Sequence, residues 1–94
     1  MSKVGDRVGA IHGFGDDGDT VEFFGYGVYE GDFPFEPFGG IPNPRIKLDS
    51  GATVWGAESW WGPEHVIKNK LAEYEEQGLT VVTIDIDKLR QEAA

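Results

Sequence analysis

Twelve of the chain's fourteen glycines lie between Gly5 and Gly56, and eleven of its twelve aromatic residues lie between Phe14 and Trp61. Glycine lets a strand bend and lets another backbone come close, while aromatic rings supply large apolar area and flat stacking faces. Interleaved in this way, they fit the core of a small curled sheet, a binding surface, or both. With 94 residues, the chain has room for one domain with a modest core. The expectation is a single domain over 1–94, β-barrel-like over 1–61, with a helix–strand–helix appendage over 62–94 that covers an open edge or makes a dimer contact.

Charge narrows the partners. The net charge is −9, and no Lys or Arg occurs from Val8 to Pro44, a span that carries Asp16, Asp17, Asp19, Glu22, Glu30, Asp32 and Glu36. Non-specific nucleic-acid binding needs a basic footprint and is disfavoured. Three readings of the acidity stay open: solubility, a surface for a basic partner or a mimic of DNA, and a cation site. The chain has no cysteine, which removes disulfides, a thiolate nucleophile and Cys-ligated zinc, and fits a reducing cytosol. No apolar run is long enough to span a bilayer, and the start MSKVGDRV lacks a signal-peptide core. The expectation is a soluble cytoplasmic protein.

Along the chain, Val4 to Ile11 reads as a first strand and HGFGDDGD as a loop of turn formers. TVEFFGYGVY, from Thr20 to Tyr29, is the clearest strand, with a bulge or sharp bend expected at Gly25 and Gly27. The segment from Glu30 to Pro44 holds four prolines and three glycines and reads as irregular. Its Phe33, Phe35, Phe38 and Ile41 are too apolar for a solvated loop and should be partly buried or dock on a partner. RIKLDSGATVW reads as a hairpin turning at Ser50-Gly51. A two-residue loop pairs Ile46 with Trp55 and buries the tryptophan. A three-residue loop pairs Ile46 with Val54, buries Ile46, Leu48 and Val54 together, and turns Trp55 outward beside Arg45 and Lys47; this register is the preferred one.

AESWWG then leads into a helix with Pro63 at its first position, running to about Gln77 and ending at Gly78. Ile67, Leu71 and Tyr74 should share one face, with Glu64 and Lys68 paired four residues apart. LTVVTI reads as a strand, after which Asp85 caps a short helix carrying Ile86 and Leu89. The expected fold class is α+β and β-rich, a small SH3-like barrel with a C-terminal helix–strand–helix appendage.

Adjacent Trp60 and Trp61 cannot both point into one small core, so one should be exposed. Arg45 and Lys47 share a strand face, the only basic pair beside the aromatic segment. Arginine stacks on rings and grips phosphate or carboxylate bidentately. A nucleotide-like ligand would use Arg45 and Lys47 for the anion, Tyr26, Tyr29, Trp55 and Trp60 for stacking, and Asn43 for polar readout, with Arg7 or Lys68 joining. Phe33, Phe35 and Phe38 are the candidates for docking a protein. Asp16, Asp17 and Asp19 do not fit the calcium loop of an EF-hand, which needs a carboxylate where Val28 stands. His12 and His65 have no spacing that compels zinc or acid–base chemistry, and no nucleophile elbow, phosphate loop, dinucleotide fingerprint or HExxH occurs. The expectation is a non-enzyme with no catalytic residues, metal or cofactor.

The segments VGDRVGAI, GYGVYEGD and NPRIKLDSGATVWGAESWWGPE, with the helix that follows, resemble a group of small, mostly uncharacterised proteins of tailed bacteriophages. The resemblance covers about three-quarters of the chain and brings no catalytic residues. It implies an anti-defence role in the host cytoplasm. One form is sequestration of a nucleotide-type immune signal, which requires stacking aromatics, converging cations and a homo-oligomer. The alternative is an acidic, aromatic inhibitor or mimic that binds a host protein.

Overall fold

The computed structural model describes residues 2–93. It is a small, strand-rich α+β fold in which one open sheet carries two helices. The strands are β1 (Arg7–Phe14), β2 (Thr20–Phe35), β3 (Ile41–Leu48), β4 (Thr53–Trp55), β5 (Trp60–Pro63) and β6 (Thr80–Thr83); the helices are α1 (Glu64–Glu76) and α2 (Ile86–Ala93). The strand order is β4-β3-β2-β1-β5, antiparallel throughout, and β6 adds to β2 in parallel. β4 and β5 are not paired with each other, so the sheet is not closed.

The sixteen-residue β2 is the spine, and glycine lets it serve three partners. Its first half pairs β1 and β6, its second half β3. Phe24 is an extra residue against β1, a bulge set beside Gly25, whose φ is 134°. Alternation turns Phe23 and Phe24 to opposite faces, both buried, and the bulge then returns Tyr26 to the side of Phe23. At Gly27 the reason for glycine is spacing rather than φ: a Cβ would overlap the Lys47 carbonyl oxygen and lie 2.7 Å from the Leu48 Cα. β3 crosses β2 too closely there for any side chain.

Two apolar clusters follow from this bend. Val8, Ala10, Phe24, Ile46, Leu48 and Val54 fill the hollow of the curled sheet, and Ile86 of α2 completes it. Ile11, Val21 and Phe23 meet Ile67 and Leu71 of α1 on the other face, with Tyr74 alongside. The C-terminal third thus feeds both clusters. Asp85 caps α2 by accepting the Asp87 N–H at 2.9 Å. Gly78, with φ of 90°, ends α1.

The preferred hairpin register is the one found: Ile46 pairs with Val54 and Arg45 with Trp55. Two expectations are corrected. The stretch from Glu30 to Pro44 is regular over most of its length, since β2 runs to Phe35, a 3₁₀ turn spans Glu36–Phe38, and β3 starts at Ile41. The prolines are tolerated because Asp32 faces Pro44 and Pro34 faces Pro42. These alternate pairs are the non-hydrogen-bonded ones of an antiparallel ladder, where no N–H is needed. The second correction concerns AESWWG: Gly56–Glu58 is a 3₁₀ turn, and Trp60–Pro63 is a strand that pairs β1. Pro63 precedes the helix with extended ψ of 144° and is not its first residue.

Candidate functional site

Beyond Glu30, which is an extra residue against β3, the outer face of β2 carries Gly31, Phe33 and Phe35. Opposite them on β3 stand Arg45, Asn43 and Ile41, and Trp55 follows on β4. One continuous aromatic surface results. The Phe35 ring lies 4.8 Å from Trp55 and 5.3 Å from Phe38. The Arg45 guanidinium sits 3.6 Å over the Phe33 ring and donates to Glu30 at 3.0 Å. At the tip, Phe38 is 51% exposed and Ile41 64%. Exposed Glu36 adjoins them, while Asp32 lies on the opposite face of β2 with Tyr29.

Of the residues singled out in the sequence, Phe33, Phe35, Phe38, Asn43, Arg45, Lys47 and Trp55 therefore lie on one side of the ribbon. Asn43 has a structural role there. Its side-chain oxygen accepts the Ala57 N–H at 2.8 Å and fastens the second 3₁₀ turn to β3. Lys47 is exposed and has no ion pair among the described residues.

Tyr26, Tyr29 and Trp60 are elsewhere. Tyr26 packs edge-on against Phe23 on the α1 side, at 4.9 Å, and its phenol is pushed up chiefly by burial. Tyr29 packs against the hollow cluster and stacks on Trp61 at 5.3 Å. Its hydroxyl donates to Asp32 at 2.6 Å, and that bond, more than its loss of hydration, holds the phenol above its usual range. Trp60 is 54% exposed at the start of β5, while Trp61 is half-buried, as the alternation of a strand requires.

Nor do the basic residues converge. Arg7 grips Asp49 bidentately at 2.7 and 2.8 Å and reaches Glu64 at 3.0 Å. These bonds raise the guanidinium pKa and hold the Asp49 carboxyl below the usual range. Lys68 pairs with Glu64 at 3.6 Å. Arg90 ties α2 to the sheet through Glu58 at 2.6 Å and the Thr53 carbonyl at 2.9 Å. Asp17 turns inward on its own loop, accepting from the Asp19 N–H at 2.9 Å and the Thr20 hydroxyl at 2.8 Å, which lowers its pKa.

Three shallow clefts border α2. One of about 210 Å³ is lined by His12, Phe24, Glu58, Ile86, Leu89 and Arg90, and His12 Nδ1 there lies 3.2 Å from Glu22. None of the three is lined by the ribbon residues or by Tyr26, Tyr29 or Trp60. Glu58, a carboxylate that acid–base chemistry would have to bring to a histidine, shares a cleft with His12. It is spent on the Trp55 N–H at 3.2 Å and on Arg90, a tertiary role that its place in the Gly56–Glu58 turn does not announce. No helix is long and apolar enough to cross a membrane among the described residues.

Comparison with protein-family models, with curated proteins and with solved structures finds no match.

Proposed function

We propose that this chain is a non-enzymatic binding protein that docks a protein partner through the outer face of the β2–β3–β4 ribbon. One observation carries the reading: the Phe35, Phe38 and Trp55 rings pack together, Ile41 stands opposite Phe35, and Phe38 and Ile41 are exposed at the tip. Aromatic residues at the centre of a patch with a polar rim are the usual anchors of protein interfaces. The rim supplies the partner's chemistry. Glu36 is exposed beside the tip, Glu30 already compensates Arg45, and no Lys or Arg lies between Val8 and Pro44. An apolar knob with an acidic rim fits a pocket ringed by Lys and Arg. A phage-encoded inhibitor of a host factor would work in this way.

Sequestration of a nucleotide-type signal through Arg45 is the second reading, supported by the exposed amine of Lys47 on the side where Trp55 and Arg45 stand. Against it stand the pairing of Arg45 with Glu30 and the placement of the three clefts, none of which Arg45, Lys47 or Trp55 lines. The finer fold assignment is also proposed: an SH3-like barrel left open between β4 and β5, supported by the strand order and by the 3₁₀ turn that joins those two strands.

The test is affinity capture by the wild-type chain and by a Phe38→Asp/Ile41→Asp variant of unchanged melting temperature. The reading expects one stoichiometric protein, released by raised salt and lost from the variant. Equal capture by both chains, or capture insensitive to salt, would refute it.

A further inference from the structure

A second surface, remote from the ribbon tip in the strand ladder, combines aromatic faces with an uncompensated cation. Phe14 ends β1, Trp60 begins β5, and Lys70 and Tyr74 stand one turn apart on α1. The Lys70 amine lies 5.3 Å from the centre of the Trp60 ring and 5.9 Å from that of Tyr74. Tyr74 meets Phe14 edge to face at 5.3 Å. Trp60 and Phe14 are 54% and 57% exposed, so each offers open ring surface to solvent.

Lys70 differs from the other cations that lie over rings. Arg45, over Phe33, is bound to Glu30, and Lys68, over Tyr26, is paired with Glu64. Among the described residues, Lys70 is the one cation that lies over rings and has no carboxylate partner. This holds in a chain of net charge −9, where acids outnumber bases by seventeen to eight. A cation held only by ring faces in water is weakly satisfied, and an anion that accepts a charge-assisted hydrogen bond is a better partner. A flat ring stacking on Trp60 would place such an anion within reach of the amine.

We infer that Trp60, Lys70, Tyr74 and Phe14 form a binding site for a planar aromatic group that carries an anionic substituent. A nucleoside phosphate and an aromatic carboxylic acid share this chemistry. The ring is recognised by stacking on Trp60, with Phe14 and Tyr74 as the wall, and the anion by Lys70. The site does not depend on the docking role of the ribbon.

The test uses the full chain labelled with ¹⁵N, reading the indole N–H of Trp60 by NMR, with its signal assigned through Trp60→Phe. The probes are AMP, adenosine and indole-3-acetate. AMP or indole-3-acetate should shift the Trp60 signal saturably, and whichever binds identifies the source of the anion. Adenosine should bind roughly tenfold more weakly than AMP, because one charged hydrogen bond is lost. Lys70→Gln should bring AMP down to the level of adenosine, while Lys47→Gln and Phe38→Asp/Ile41→Asp should bind AMP as the wild type does. Loss of protein docking in that double variant with AMP binding intact separates the two sites. The inference is overturned if neither anionic probe moves the Trp60 signal at millimolar concentration, if adenosine binds as well as AMP, or if Lys70→Gln and Lys47→Gln weaken binding alike.

Discussion

Gly27→Ala isolates the closest approach in the fold. Gly27 pairs with Val8 on one side and Leu48 on the other, so it is fixed between two strands. The added methyl would overlap the Lys47 carbonyl oxygen and sit 2.7 Å from the Leu48 Cα, where ordinary van der Waals contact begins at 3.4 Å. Both obstacles are backbone, so no rotamer change relieves them. β3 must move away, which loosens the ladder that brings Ile46 and Leu48 into the hollow. Overpacking costs about 1–3 kcal/mol where side chains absorb it, occasionally more. A backbone obstacle puts this variant at about 3 kcal/mol or above. For a domain of this size that is a fall in melting temperature of roughly 12–24 °C. Gly62→Ala is the control: it also lies in a strand pair, with nothing within 4 Å of its added methyl and no left-handed φ. It should change stability by less than about 1 kcal/mol. Thermal unfolding of both variants by circular dichroism decides the matter. Equal melting temperatures would refute the crossing geometry of β2 and β3.

Other expectations follow from single side chains. Ile86→Ala should cost about 2–5 kcal/mol in chemical denaturation, because Ile86 completes the hollow cluster; a cost below about 1 kcal/mol would make α2 a loose appendage. The depressed carboxyls of Asp49 and Asp17 contribute stability above their unfolded pKa of about 3.9, which is lost as pH falls through their lower folded values. Asp49→Asn should therefore flatten the acid limb of the stability–pH curve. Tyr29 has the opposite sign: its raised phenol contributes below its unfolded pKa of about 10, and that contribution is lost as pH rises through the folded value. Tyr29→Phe should remove this alkaline loss, measured as the denaturation midpoint between neutral pH and pH ~11.

Local signals carried much of the fold. The bend of β2 was legible because glycines interrupt a run of β-branched and aromatic residues, and Gly27 proves to be a place where no side chain fits. The hairpin register followed from burying Ile46, Leu48 and Val54 on one face. The end of α1 and the start of α2 were written in Gly78 and Asp85. What was hidden depended on pairing across the chain. A proline argues against a strand only where the ladder needs the N–H it lacks, and at Pro34, Pro42 and Pro44 that is decided by the partner strand and not by the proline. β5 looked like a helix lead-in because two tryptophans, a glycine and a proline carry no periodicity; its partner is β1, some fifty residues earlier.

The candidate surfaces divide in the same way. Arg45, Lys47 and Trp55 were legible as a group once the register was chosen, since alternation along β3 and β4 places them together; Phe33 and Phe35 join them only because β2 continues through a segment that reads as irregular. That Arg45 is compensated by Glu30, and that Asn43 is used to hold a turn, are tertiary facts without a sequence signature. Lys70 has an ordinary place on a helix, and only the approach of β5 and the end of β1 puts rings around it.

Hydrogen exchange of the captured complex, compared with the free chain, tests the central claim most directly. Docking through the ribbon predicts added protection over 31–44 and 53–55, with α1 unchanged. Added protection on α1 or α2 with the ribbon unchanged would contradict it.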